Sequence, residues 1–223
     1  MTMRVGLIVP SSNTVMEPDF QRELAGVASV HAARMYLADP VTPAGEFEML
    51  DRHAAPAARD LGTLAPDVTV FGCTSAAALL GPDGDARLRS RLVGLTGTRV
   101  VGVADSLGNR LRELDASRIA VLSPYAAELA EAVIRGFAGE GFEVLGAHGL
   151  EIGDNAEVGR VEPEAILDAA PLALAPGAEA LAVACTNLRA LEVREELERA
   201  VGIPVVTANS AALTAVRRAL EEV

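Results

Sequence analysis

The chain carries the same short string twice. Phe71-Gly-Cys-Thr-Ser-Ala-Ala-Ala-Leu79 and Val183-Ala-Cys-Thr-Asn-Leu-Arg-Ala-Leu191 each run from an apolar stretch through Cys-Thr into an Ala/Leu-rich segment. The two cysteines in these strings, Cys73 and Cys185, are the only ones in 223 residues and lie 112 positions apart. The repeat extends further. Arg4-Val-Gly-Leu-Ile-Val-Pro10-Ser aligns with Arg118-Ile-Ala-Val-Leu-Ser-Pro124-Tyr at an offset of 114. A weaker third pair sets Arg99–Ser106 against Pro204–Ser210. One offset near 110, recurring in one order, predicts two copies of a single supersecondary unit.

The type of unit follows from the apolar pattern. Runs such as Arg4–Val9, Asp67–Phe71, Arg118–Leu122 and Ala180–Ala184 are continuously apolar rather than alternating. That suits parallel strands covered on both faces. Ser29–Tyr36, Arg99–Val103, Phe142–Leu150 and Ile203–Val206 complete eight strand candidates. Helix candidates separate them: Glu17–Leu24, Glu46–Leu64, Ala76–Arg91, Ser106–Leu114, Ala126–Gly139, Pro163–Leu174, Leu188–Ala200 and Ala211–Glu222. Strands alternating with helices read as βαβ units. The expected fold is α/β, with two pseudo-symmetric lobes, each holding a parallel sheet of about four strands flanked by helices, and the active site in the cleft between them. Residues 1–106 plus 209–223 are expected to form the first lobe and 107–208 the second, with the last helix returning to the first. Gly81-Pro-Asp-Gly-Asp85 reads as a turn.

Composition removes several function classes. The net charge of −12, with no Trp and 3% aromatic residues, disfavours nucleic acid and anionic membranes as partners. No apolar run reaches the length of a membrane span, no signal peptide is visible, and two distant cysteines form neither a disulfide framework nor a metal spacing. The three histidines, His31, His53 and His148, are scattered. A cytoplasmic protein with reduced thiols, needing no metal and no cofactor, is the expectation.

Ligands of parallel sheets bind beyond the carboxyl ends of the strands, which is where both cysteines fall. A thiol just before a helix meets free N–H groups and the positive end of the helix dipole, so both are expected to be pushed toward thiolate. Ser11, Ser12 and Asn13 follow the first strand as small donors or as a helix cap. Tyr125 holds the matching place in the second half, and Asp154-Asn155 reads equally as an Asx turn or as part of a site.

Four strings, Val9-Pro-Ser-Ser-Asn-Thr-Val-Met-Glu17, Gly72-Cys-Thr-Ser75, Asp154-Asn-Ala-Glu-Val-Gly159 and Ala184-Cys-Thr-Asn187, together resemble the maleate cis–trans isomerases of the aspartate/glutamate racemase superfamily. The resemblance spans most of the chain. It implies Cys73 as nucleophile, Cys185 as proton donor, and Asn13, Tyr125 and Asn155 as substrate-binding residues. Ser11, Ser12, Thr74, Ser75, Thr186 and Asn187, in or beside the same strings, join them as candidates for holding the substrate. The implied activity is conversion of maleate to fumarate through a succinyl-cysteine adduct, with a small dicarboxylate as the molecule bound. Arylmalonate decarboxylases, which are related, keep the second cysteine and lack the first. A cofactor-independent racemase for acidic amino acids, with the two thiols as acid and base, is the alternative. A homodimer is one expectation for assembly.

Overall fold

The computed structural model describes residues 3–223; Met1 and Thr2, which the expected first lobe includes, lie outside the described residues. Eight strands form two parallel sheets. The first contains β1 (Met3–Pro10), β2 (Ala28–Met35), β3 (Val68–Phe71) and β4 (Val100–Gly102), in the order β2-β1-β3-β4. The second contains β5 (Arg118–Tyr125), β6 (Glu143–Ile152), β7 (Ala180–Val183) and β8 (Val205–Thr207), in the order β6-β5-β7-β8. The orders are the same once the elements of one half are matched to the other. Register carries the repeat too. Ile8 pairs with Phe71 in the first sheet and Leu122 with Val183 in the second, the residues that the 114 and 112 offsets relate.

Helices cover the sheets: α1 (Met16–Glu23), α2 (Pro43–Gly62), α3 (Thr74–Thr96), α4 (Val103–Glu113), α5 (Ala127–Gly139), α6 (Asn155–Val158), α7 (Pro163–Ala173), α8 (Arg194–Val201) and α9 (Ala208–Glu221). None of the described helices is long and apolar enough to cross a membrane. The central strands β1, β3, β5 and β7 are almost wholly buried. Aliphatic side chains therefore fill the core, as a chain without Trp requires. The last helix packs Val216, Ala219 and Leu220 into the cluster formed by Val5, Leu7 and Val68 of the first sheet.

Two expectations are corrected. Gly81–Asp85 is not a free turn. The chain kinks at Gly81, whose φ of +67° favours a residue without Cβ, and the helix then resumes within α3. The expected Leu188–Ala200 helix is broken into a single 3-10 turn, Arg189–Leu191, and α8. Cys185 is followed by a turn at Thr186-Asn187, not by a helix. The short α6, which Asp154 caps by accepting from the N–H groups of Ala156 and Glu157, was not among the expected helices.

The lobes meet through a buried polar seam. Asn209 at the start of α9 donates from Nδ2 to Asp19 Oδ2 on α1 (2.8 Å) and to the Thr186 carbonyl (3.2 Å). Arg22 donates to the other oxygen of Asp19 at 2.7 Å. Burial pushes the Asp19 carboxyl up, and these donors oppose the shift. Deleting a buried donor leaves its partner unsatisfied, at about 1–3 kcal/mol and more for a charged group. Asn209→Ala is therefore expected to lower unfolding stability by about 2–3 kcal/mol, read as a fall in the urea midpoint without a change in slope.

Candidate active site

At the carboxyl ends of the two sheets, matched loops face one cavity. Its lining includes Pro10, Asn13, Glu46, Cys73, Thr74, Ser75, Tyr125, Asn155, Cys185, Thr186 and Asn187, with Leu37 and Val41 from the loop after β2. Both cysteines are free and buried. The cavity holds about 20 Å³, room for about one water molecule. The loop after β2 is tied to the segment before α6 by the Val41 N–H to the Gly153 carbonyl at 2.8 Å and to α6 itself by the Asn155 N–H to Asp39 Oδ1 at 3.2 Å.

Cys73 is the N-cap residue of α3, as the helix-start reading of its string requires. The Ala76 N–H of the first turn reaches its sulfur. Its Sγ lies 3.4 Å from Glu46 Oε2 and 3.5 Å from Ser75 Oγ. Cys185 obtains comparable donors without a helix. The turn after β7 aims the Asn187 N–H at its sulfur from 3.3 Å, the Leu188 N–H adds a second, and the Tyr125 phenol donates a third.

The expected drift toward thiolate is overturned. Burial pushes Cys73 well above the ordinary thiol range, and the negative charge of Glu46 adds to that. Burial also lifts Cys185 to about 11, against the phenol and the two N–H groups. Tyr125 is raised well above its ordinary value by burial and by both sulfurs. Desolvation of a full charge outweighs a few partial charges, so both sulfurs rest as thiols in the closed cavity.

The other candidates divide by role. Asn13 has two uses. Its Oδ1 accepts from the N–H groups of Val15 and Met16 (3.1 and 3.0 Å), capping α1, while Nδ2 donates across the cleft to Thr186 Oγ1 at 2.9 Å. Thr186 Oγ1 in turn donates a hydrogen bond to the Gly72 carbonyl at 3.1 Å. Asn187 Oδ1 takes the Thr14 N–H at 2.8 Å, and its Nδ2 holds the Asn155 carbonyl at 2.6 Å. Asn155 Nδ2 donates to Ser12 Oγ at 2.9 Å. Thr74 Oγ1 is buried without a partner. Ser11 and Ser12 do not line the cavity. Ser11 Oγ accepts the Leu37 N–H at 3.1 Å, so the two serines anchor the loops around it.

Glu46 is the residue that motif reading missed. It lies on the apolar stripe of α2, in line with Leu50, Ala54, Ala58 and Leu61. A carboxylate at a core position of an amphipathic helix was the available signal. Among the described residues, the lining contains this one carboxylate and no Lys, Arg or His.

Comparison with known proteins identifies the family. Residues 5–222 match the family model described as arylmalonate decarboxylase. The maleate isomerase of Nocardia farcinica is 31% identical over 98% of this chain and 90% of its own length. The solved Nocardia farcinica maleate cis–trans isomerase bound to TRIS superposes with a TM-score of 0.92 over 98% of this chain and 92% of that one. A cysteine-to-serine mutant of that isomerase, carrying a covalently bound succinylcysteine intermediate, is 30% identical with a TM-score of 0.91 over 99% of this chain and 94% of that one. The chain belongs to the arylmalonate decarboxylase family, where its homologues include maleate isomerases.

Proposed function

We propose that this protein isomerises maleate to fumarate, with Cys73 as the nucleophile and Cys185 as the proton carrier. The observation that carries the reading is the pair of thiols, from matched strand ends of two lobes, facing one small polar cavity. The likeness to maleate isomerases supports the choice of substrate.

Maleate holds two carboxylates cis across a C=C bond, and the geometry cannot change until that bond becomes single. Addition of the Cys73 thiolate to one alkene carbon forms a C–S bond and pushes the π electrons onto the neighbouring carbon. The charge spreads into the adjacent carboxylate, where amide, hydroxyl and N–H donors stabilise it. Cys185 delivers its proton to the carbanion, rotation follows about the new single bond, and Cys185 takes the proton back. Expulsion of the Cys73 sulfur returns its electron pair and leaves the trans alkene. Among the described residues no lining residue is a cation, so the substrate carboxylates depend on the remaining amide N–H groups of Asn13 and Asn155 and on the unpartnered Thr74 hydroxyl.

Proton NMR of the purified protein with maleate is expected to show the maleate vinyl signal replaced by that of fumarate. Cys73→Ala is expected to reduce conversion to background, and Cys185→Ala to lower it about 10²–10⁴-fold, the range of general acid–base catalysis. Full turnover by Cys73→Ala refutes the covalent route. Exchange of deuterium into the α-position of aspartate or glutamate, with maleate untouched, assigns the protein to racemisation instead.

Rapid acid quench followed by intact mass measurement is expected to find one added substrate mass, mapped to the Cys73 peptide with Cys185 unmodified. An adduct confined to Cys185 reverses the roles.

Tyr125→Phe removes a donor that favours the Cys185 thiolate. Hydrogen bonds to charged groups contribute about 1.5–3 kcal/mol, so turnover is expected to fall about ten- to a hundredfold. The Cys185 titration is expected to move further above about 11.

A further inference from the structure

A nucleophile that rests as a buried thiol needs somewhere to put its proton. Glu46 is 1% exposed, sits in the first turn of α2, and among the described residues has no cationic partner lining its cavity. A carboxylate so placed is costly, and a structural role at the start of α3 would be filled more cheaply by an amide. Its contacts are with the groups that would exchange protons with it. Ser75 donates its hydroxyl to Oε1, which fixes the carboxylate, and Oε2 is left 3.4 Å from Cys73 Sγ.

We propose that Glu46 is a catalytic residue, the base that takes the Cys73 proton as the sulfur attacks and returns it when the sulfur leaves. The proposal rests on Cys73 being the nucleophile. The S–H bond breaks and the proton moves to Oε2. The freed sulfur pair makes the C–S bond to an α,β-unsaturated carboxylate, whose π electrons move to the next carbon. On expulsion the C–S pair returns to sulfur and Oε2 gives the proton back. The pair carries one negative charge throughout, shared between Oε2 and Sγ, so no second charge is buried.

Burial raises both groups, and the charge of Glu46 raises Cys73 further, as expected for two sites competing for one charge. The titratable groups facing Glu46 from neighbouring elements are Cys73 at α3, Tyr125 at the end of β5 and Cys185 after β7. Between the two titration steps of a one-proton pair the thiolate fraction does not change with pH. A lone thiol gains about tenfold thiolate per pH unit below its pKa.

The test is the pH dependence of iodoacetamide alkylation at Cys73, quantified on its peptide by mass spectrometry, in the wild-type chain and in Glu46→Gln. The wild-type rate is expected to stay within about twofold between about pH 6.5 and 8.5. The Glu46→Gln rate should rise about tenfold per pH unit, and Glu46→Asp should keep the flat profile. A tenfold-per-unit rise in the wild type overturns the proposal, as do matching profiles in wild type and Glu46→Gln, including no reaction in either. If Glu46→Gln does not fold, the wild-type slope decides alone. Maleate conversion is followed in the same samples. A flat wild-type profile without conversion supports the role of Glu46 while removing maleate as substrate. Conversion with a steep profile removes Glu46 alone.

Discussion

The arrangement depends on a hydrogen-bonded seam that crosses between the lobes twice at one threonine. Thr186, from the second half, accepts from Asn13 Nδ2 and donates to the Gly72 carbonyl, both from the first. Asn13 caps α1 with its other atom, and Gly72 immediately precedes Cys73. The position of Cys73 relative to Cys185 is therefore set through a few short polar contacts and not by either lobe alone. Asn209 and Asp19 brace the same threonine loop from behind. Buried hydrogen bonds of this kind add little net stability each, but leaving one unmade is costly, which gives the seam a single arrangement.

The same burial that makes the seam specific governs the chemistry. The cavity excludes bulk water, so local donors act strongly on any charge that forms, yet charge is expensive to form there at all. The structure answers this asymmetrically. Cys185 has three donors that oppose its rise to about 11, while Cys73 has a carboxylate beside it that adds to its rise. Two thiols at equivalent points of a repeated fold thus stand in different surroundings. A duplicated scaffold supplies symmetry of position, and unlike neighbours supply difference of role.

Much of this was legible in the chain. The paired Cys-Thr strings and the repeated Arg-to-Pro strands placed both cysteines at strand ends, because continuous apolar runs and 110-residue offsets are local, additive signals. Asn13, Tyr125 and Asn155 were singled out by their strings, and the fold brings all three to the cavity. Ser11 and Ser12 looked equivalent to Asn13 in sequence, but the direction of the turn points them at Leu37 and Asn155 instead. The break after Cys185 was hidden because Leu-Arg-Ala-Leu has good helix propensity, which the tertiary position of Asn187 overrides.

By itself the sequence determined the repeat, the strand–helix alternation and the two thiols, since each follows from residue type and spacing along the chain. Only the tertiary structure decided what the thiols face. Glu46 is 27 residues from Cys73 along the chain and reaches it because the amphipathic stripe of α2 turns one carboxylate inward over α3. The ionisation of the thiols also belongs to the fold. It reflects competition between desolvation, set by everything packed around the cavity, and donors contributed from both lobes, and no string of neighbouring residues contains that sum.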